Sequence, residues 1–343
     1  MSSAKSAESL ASGLLEHALS AACAASVRAA VTLGLPEVLG DAPATVEELA
    51  TAVGADPAAL QRLLRALTSY EVFAQDGEGA FVHTEKSLAL REDSPHSLKH
   101  LVLWCTEPWL WSLWGRLDES VRTGNEVFTQ EHGRKFYEHL HTRWPESAKT
   151  FDRAMTQQTG LSAAVLADLL PLSGVDTIAD VGGGQGLVLA TVLERHPGLQ
   201  GFLLDLPDVV ANADARMHPG GALAHRVQLV PGDCLQEVPV QADLYLFKNI
   251  LGVDEERSVL ILRNAVEAAR PGARMVIVDN FVDADGPGQQ LASAMDLRML
   301  LVIGGRKHTR AGLLTIAERA GLIVHGVRPV DSSLHMIEAT VPE

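Results

Sequence analysis

From Leu161 onward, short apolar runs alternate with segments of helical periodicity. The runs predict strands at Thr177–Val181, Gly201–Leu204, Val227–Val230, Ala242–Phe247, Arg274–Val278 and Leu322–Val327. A last strand, His335–Thr340, is expected to close the edge of the sheet. The patterns between them predict helices, notably Leu187–His196 and Glu255–Ala269. Such alternation predicts an α/β fold with a doubly wound, mostly parallel sheet that binds ligands beyond its strand carboxyl ends.

The first half reads differently. Residues 10–40 are helical and rich in Ala and Leu, with Val27, Ala30, Val31, Leu33 and Leu35 on one face and an interruption at Gly34 and Pro36. Small residues let such a helix pack closely, either on a second copy of the chain or in an ordinary core. Thr45-Val46-Glu47-Glu48 is a capping box that starts a helix with Leu49, Ala52 and Val53 inward, and Gly54 ends it. Asp56-Pro57 starts another, striped by Leu60, Leu63, Leu64 and Leu67. Val72–Ala74 and Ala80–His83 then predict a hairpin, which completes a winged-helix pattern. From Thr45 to Asp93 there are four basic and nine acidic residues. That sign opposes a DNA duplex, whose phosphates are bound through Lys and Arg, and favours a structural role for the module.

Residues 95–160 are helical and aromatic. Trp104, Trp109, Trp111 and Trp114 are four of the five tryptophans. They can wall a pocket for a planar ligand or simply fill a core. Phe151, Met155, Gln157 and Gln158 belong to a following helix. The division expected is residues 1–100, a winged-helix dimerisation domain; 101–160, a helical connector that contributes to a ligand pocket; and 161–343, the α/β domain.

Composition narrows the class. The 343 residues are 47% hydrophobic and carry a net charge of −15, which suits a globular chain and disfavours polyanionic partners. No apolar run reaches the roughly 20 residues of a membrane span, and Met1–Ser9 lacks the pattern of a signal peptide. Cys23, Cys105 and Cys234 are far apart, which fits a reduced, cytoplasmic setting, and no metal site is expected.

The chemistry concentrates in the second half. Asp180-Val181-Gly182-Gly183-Gly184-Gln185-Gly186 follows a predicted strand, and glycines let backbone approach a ligand closely. Asp205 ends the next strand in Leu204-Asp205-Leu206-Pro207, where a carboxylate can accept from ribose hydroxyls. Asp233 follows the third in Gly232-Asp233-Cys234. The loop lacks the G-x-G-x-x-G spacing of dinucleotide sites, which argues against a nicotinamide cofactor.

These motifs, with Lys248-Asn249-Ile250-Leu251, Asp296–Leu301 and Gly304–Thr309, occur in this order after a winged helix. The chain thereby resembles the S-adenosylmethionine-dependent small-molecule O-methyltransferases of bacterial natural-product and plant phenylpropanoid pathways. The resemblance implies a Rossmann-like methyltransferase domain, an N-terminal dimerisation domain and a homodimer. It places Gly182, Gly183 and Gly184 beside the methionine moiety of the cofactor. It puts Asp205 on the ribose, Leu206 under the adenine, Asp233 and Cys234 flanking the adenine, and Lys248 near the sulfonium. Trp104, Trp109, Met155, Asn249, Gly252, Met295 and Met299 are the residues expected around the acceptor, a small aromatic or enolic secondary metabolite.

Two positions depart from the family. Its members commonly carry a His base after the Lys-x-x-Leu segment, and here Gly252 stands in that slot. The Glu that orients this His is replaced by Lys307, with His308 beside it; His308 also sits among Arg306, Lys307 and Arg310, as in a solvated basic loop. Asp279 matches another family acid near the acceptor. Three readings stay open. The acceptor can be an already anionic oxygen or an activated carbon, methylated through proximity. Asp279, Asp254 or His308 can replace the base. Or the fold can use its cofactor for other chemistry, such as decarboxylation, hydroxylation or cyclisation.

Overall fold

A computed structural model describes residues 13–284 and 288–343 of the chain. The reading of Met1–Ser9, and the first residues of the predicted 10–40 helix, lie outside them. Two compact units form: one runs to Trp111 and includes Lys149–Gln157, the other holds Ser112–Ala148 and everything from Gln158. The predicted 101–160 connector is therefore shared between the units, and the 25-residue helix Pro145–Leu169 contributes to both.

In the first unit, the capping box forms as the sequence dictates. Glu48 N–H donates to Thr45 Oγ1, and Thr45 N–H donates to Glu48 Oε2 at 2.8 Å. Helix Val46–Val53 ends at Gly54, whose φ of 66° suits a residue without Cβ. Asp56 caps helix Pro57–Ser69, and strands β1 (Phe73–Gln75) and β2 (Phe81–His83) make the antiparallel wing. Leu49, Leu60, Leu64, Leu67, Phe73 and Phe81 pack into one core. The 10–40 region breaks at Gly34 into helices Ser20–Leu33 and Leu35–Leu39. Ala30, Val31 and Leu35 belong to the core, whereas Leu14, Leu15 and Leu19 stand 61–70% exposed. The core reading thus holds from Ala30 to Leu35, and the leucines before it are left exposed in the single chain. The predicted aromatic wall is partly core: Trp104 is buried, with ring centroids 5.5 Å from Trp109 and 4.9 Å from Phe151.

The second unit is built on a seven-stranded sheet. Its strands are β3 (Thr177–Val181), β4 (Gln200–Asp205), β5 (Val227–Pro231), β6 (Leu244–Lys248), β7 (Arg274–Asp279), β8 (Ile323–Pro329) and β9 (His335–Thr340). Their order is β5-β4-β3-β6-β7-β9-β8, with the first five parallel. Two apolar clusters cover the two faces, one around Tyr245, Phe247 and Ile277, the other around Leu203, Leu246 and Val278. The expectation that His335–Thr340 closes the edge is corrected. This strand lies between β7 and β8, antiparallel to both, and β8 is the edge. Met336, Ile337 and Ala339 are buried, as an interior strand requires, while Ile323 on β8 is half exposed. Among the described residues no helix is long and apolar enough to cross a membrane.

Candidate active site

Strand order reverses between β3 and β6, and at such a switch point an open α/β sheet holds its ligand. The loop after β3 is shaped for close approach. Gly182, Gly184 and Gly186 take φ of 66°, 62° and 80°, a region that side chains disfavour. A Cβ on Gly182 would overlap Ile250 Cδ1, so the loops after β3 and β6 touch. A Cβ on Gly183 would lie 2.6 Å from the Asp180 carboxylate, whereas one on Gly184 would meet nothing within 4 Å. The loop is thus packed beneath and open at Gly184.

Asp205 ends β4 and reaches back to this loop. Its Oδ2 accepts the Gly184 N–H at 2.8 Å and its Oδ1 accepts the Leu206 N–H at 2.7 Å. Burial raises its carboxyl pKa, and those two bonds oppose the shift. Leu206 is exposed. Asp233, two residues beyond β5, accepts the Leu235 N–H through Oδ1 at 2.9 Å. Cys234 is half-buried beside it, and burial next to Asp233 and Asp205 pushes its thiol up to about 12, so it stays protonated.

Asp180 and Lys248 form the charged floor. Asp180 is buried, and its Oδ1 has no hydrogen-bond partner among the described residues. Burial pushes its carboxyl up to about 7 and pushes Lys248 down to about 8; mutual attraction opposes both shifts. Lys248 Nζ also donates to Thr159 Oγ1 at 3.3 Å. Asp180 and Ile250 stand inside the sequence motifs Asp180–Gly186 and Lys248–Leu251, whereas Thr159 left no signal in the sequence.

On the other side of Lys248, Asn249 takes a φ of 54°, unusual for a residue with a Cβ. Its N–H is held by Val278 O, and its Oδ1 accepts Lys307 Nζ at 3.4 Å. Lys307 Nζ lies 2.6 Å from Asp279 Oδ1, with both side chains buried. Gly252 is buried as well, and a Cβ there would overlap Met299 Cε. Met299 and Met295 stand one helical turn apart on helix Gly288–Ile303.

His308 and Asp254 have other partners. His308 is 6% exposed rather than solvated; its Nε2 donates to Leu251 O at 2.8 Å, and burial lowers its pKa. Asp254 caps helix Glu255–Ala268 and pairs with Arg257 at 2.6 Å. Gly182, Gly183, Gly184, Asp205, Asp233, Cys234, Lys248, Asn249, Gly252, Asp279, Met295 and Met299 all lie in the second unit, whereas Trp104, Trp109 and Met155 lie in the first. His96 and His100 are four residues apart, but His96 precedes helix Lys99–Cys105 and His100 Nε2 bonds Glu92. Among the described residues no group of three His, Cys, Asp or Glu side chains could hold a metal.

These residues suit an adenosyl group bearing positive charge. Asp205 has acceptor capacity for two hydroxyls, the Gly184 face is open, and the unpartnered Asp180 oxygen is an acceptor for a cationic centre.

Comparisons with known proteins agree. Residues 114–323 match the model of an O-methyltransferase domain, and residues 15–93 match that of an O-methyltransferase dimerisation domain. The chain is 34% identical to a mitomycin biosynthesis 6-O-methyltransferase from Streptomyces lavendulae over 89% of its own length and 87% of that protein's. It is 33% identical to a 3-amino-4-hydroxybenzoate 4-O-methyltransferase from Streptomyces cremeus, over 88% and 81%. CalO1, a methyltransferase of calicheamicin biosynthesis solved with S-adenosylhomocysteine bound, superposes with a TM-score of 0.84 at 33% identity, covering 98% of each chain. The chain belongs to the O-methyltransferase family and is an S-adenosylmethionine-dependent methyltransferase.

Proposed function

We propose that this enzyme methylates a hydroxyl oxygen on a small planar aromatic or enolic acceptor, and that orientation supplies most of the rate without a protein base. Gly252 carries this reading. The position where the resemblance implies a His has no titratable group, and Met299 Cε fills the room that a Cβ there would need. The three other candidate bases are engaged, Asp279 with Lys307, His308 with Leu251 O and Asp254 with Arg257. A phenol with an ordinary pKa of about 10 is mostly neutral at pH 7, so the acceptor must ionise more easily than that. Orientation alone can be worth about 7–11 kcal/mol. The acceptors named for the two relatives above include an aromatic hydroxyl, which supports the same class.

In this reading Asp205 takes the ribose hydroxyls, Leu206, Asp233 and Cys234 border the adenine, and the Gly182–Gly184 backbone faces the amino-acid moiety. Asp180 and Lys248 border the charged end. The bound cofactor supplies a methyl group on a positively charged sulfur, which departs as a neutral thioether. Asn249, Gly252, Met295 and Met299 shape the space for the acceptor oxygen, and the apolar Met side chains keep water from competing.

The dimerisation-domain match and the exposed Leu14, Leu15 and Leu19 support a homodimer. The net charge of −15 and the separated cysteines favour a cytoplasmic enzyme without nucleic acid or membrane partners. Light scattering is expected to give twice the chain mass. The acceptor reading is tested by mass spectrometry after incubation with trideuteromethyl-labelled cofactor and a panel of hydroxylated benzoates and naphthoates. Label on a phenolic oxygen is the expected result. Label on carbon, or acceptor turnover without label, would contradict it.

A further inference from the structure

We propose that Lys307 is a catalytic residue that receives the acceptor oxygen as an anion, and that Asp279 is the positioning residue that holds its ammonium in place. The inference rests on the aromatic-hydroxyl reading above. Resemblance assigns position 307 only to a carboxylate that orients a histidine, and neither exists here.

The first observation is the ion pair itself. Lys307 Nζ and Asp279 Oδ1 are 2.6 Å apart, with side chains 7% and 3% exposed. Removing two such charges from water is costly, and pairing repays that cost only with close geometry and further hydrogen bonds. Ile277 and Phe281, on either side of Asp279 in sequence, belong to the apolar core, while Asn249, Lys248 and His308 are the polar groups within reach of the pair. A pair retained at that cost is a candidate for chemistry.

The second observation is location. Arg306 N–H donates to Gly252 O at 3.3 Å, and Gly305 N–H donates to Met299 O at 3.2 Å. The segment carrying Lys307 is thereby fixed along the slot left by the missing histidine and along the methionine that fills it. Lys307 N–H is held in turn by Asp296 Oδ1 at 2.6 Å. The third is donor capacity. An ammonium has three protons. Among the described residues Asp279 and Asn249 are the side-chain acceptors for them, and no other acceptor takes the third. Asn249 is kept in its left-handed backbone conformation, and such strain is concentrated at functional sites.

The proton balance is simple. The acceptor hydroxyl releases its proton to solvent on binding. Lys307 gives up none; it hydrogen-bonds the oxyanion and leaves a lone pair on that oxygen free to attack. Once methylated, the oxygen carries no charge and the ammonium no longer holds it, which favours release. A cation within about 4–6 Å lowers the pKa of an acid by about 1–3 units. The site therefore selects acidic phenols and enols.

The test uses the whole enzyme saturated with S-adenosylhomocysteine and a panel of ring-substituted 2-naphthols, whose neutral and ionised forms absorb differently. In the wild type, bound naphthols are expected to ionise at least one pH unit below the free ones. In Lys307→Met the shift is lost and naphtholate affinity falls at least tenfold, while S-adenosylhomocysteine affinity is unchanged. Because Lys307→Met leaves Asp279 buried and uncompensated, the double variant Lys307→Met/Asp279→Asn is run alongside, and the same loss is expected. An equal shift in the wild type and both variants overturns the assignment and makes Lys307 structural only. A wild type that neither binds nor methylates any of the panel overturns the hydroxyl-acceptor reading together with this inference.

Discussion

The Gly184 amide donates to Asp205 Oδ2 at 2.8 Å, so the carboxylate that ends β4 ties down the open apex of the glycine loop after β3. In the proposed reading, loop shape and ribose recognition share this one side chain. Asp205→Ala removes the loop tether and the ribose acceptor together. Hydrogen bonds to a charged group are each worth about 1.5–3 kcal/mol, so cofactor affinity should fall on the order of 100-fold. Calorimetry with S-adenosylhomocysteine reads this directly. Affinity within twofold of wild type would remove Asp205 from the cofactor site.

Two nearby glycines should respond differently to a methyl group. A Cβ on Gly252 meets Met299 Cε, the free tip of a flexible side chain that can swing aside. A Cβ on Gly305 meets the Gly252 carbonyl oxygen, which is backbone and cannot. Gly252→Ala is expected to cost under about 1 kcal/mol, and Gly305→Ala about 2–3 kcal/mol or more, as overpacking does. Urea unfolding of the two variants gives the comparison. Equal costs would contradict the packing described.

His308 sets a pH dependence of stability. Burial lowers its pKa in the folded chain, so between that value and about 6.5 the unfolded chain binds the extra proton. Stability should therefore fall as pH drops below about 6.5, and level off once the folded His308 also protonates. His308→Asn should flatten that slope and lower stability at pH 7.5, because Leu251 O loses its buried donor. Slopes that stay parallel from pH 7.5 to 5.5 in the two proteins would show that His308 does not titrate in this way.

What could be read from the chain depended on how local the signal was. The glycine loop, Asp205 and Asp233 are legible because a strand, a turn and a strand-end acid are neighbours in sequence. The capping box at Thr45 is equally local. The place of β9 was not legible, because the pairing of β7 with β9 joins segments about 60 residues apart and apolar content does not distinguish an interior strand from an edge. His308 looked like part of a basic loop because its neighbours in sequence are Arg and Lys. Its burial comes from packing against Leu251 and Ser258, far away in the chain. The Lys307–Asp279 pair was hidden for the same reason, although each residue stood out alone. At Asp254 the local signal has a structural source as well: Asp254-Glu255-Glu256-Arg257 is a helix start, and the cap accounts for the residue type.

In the proposed reaction no protein base sets the acceptor's ionisation. The most direct measurement is the pH dependence of single-turnover methylation across a series of aromatic hydroxyls of graded acidity. The apparent pKa of the rate should follow the acceptor's own pKa across the series, offset by a constant amount. An apparent pKa that stays at one value for every acceptor would mark a titrating protein group as the base and contradict the claim.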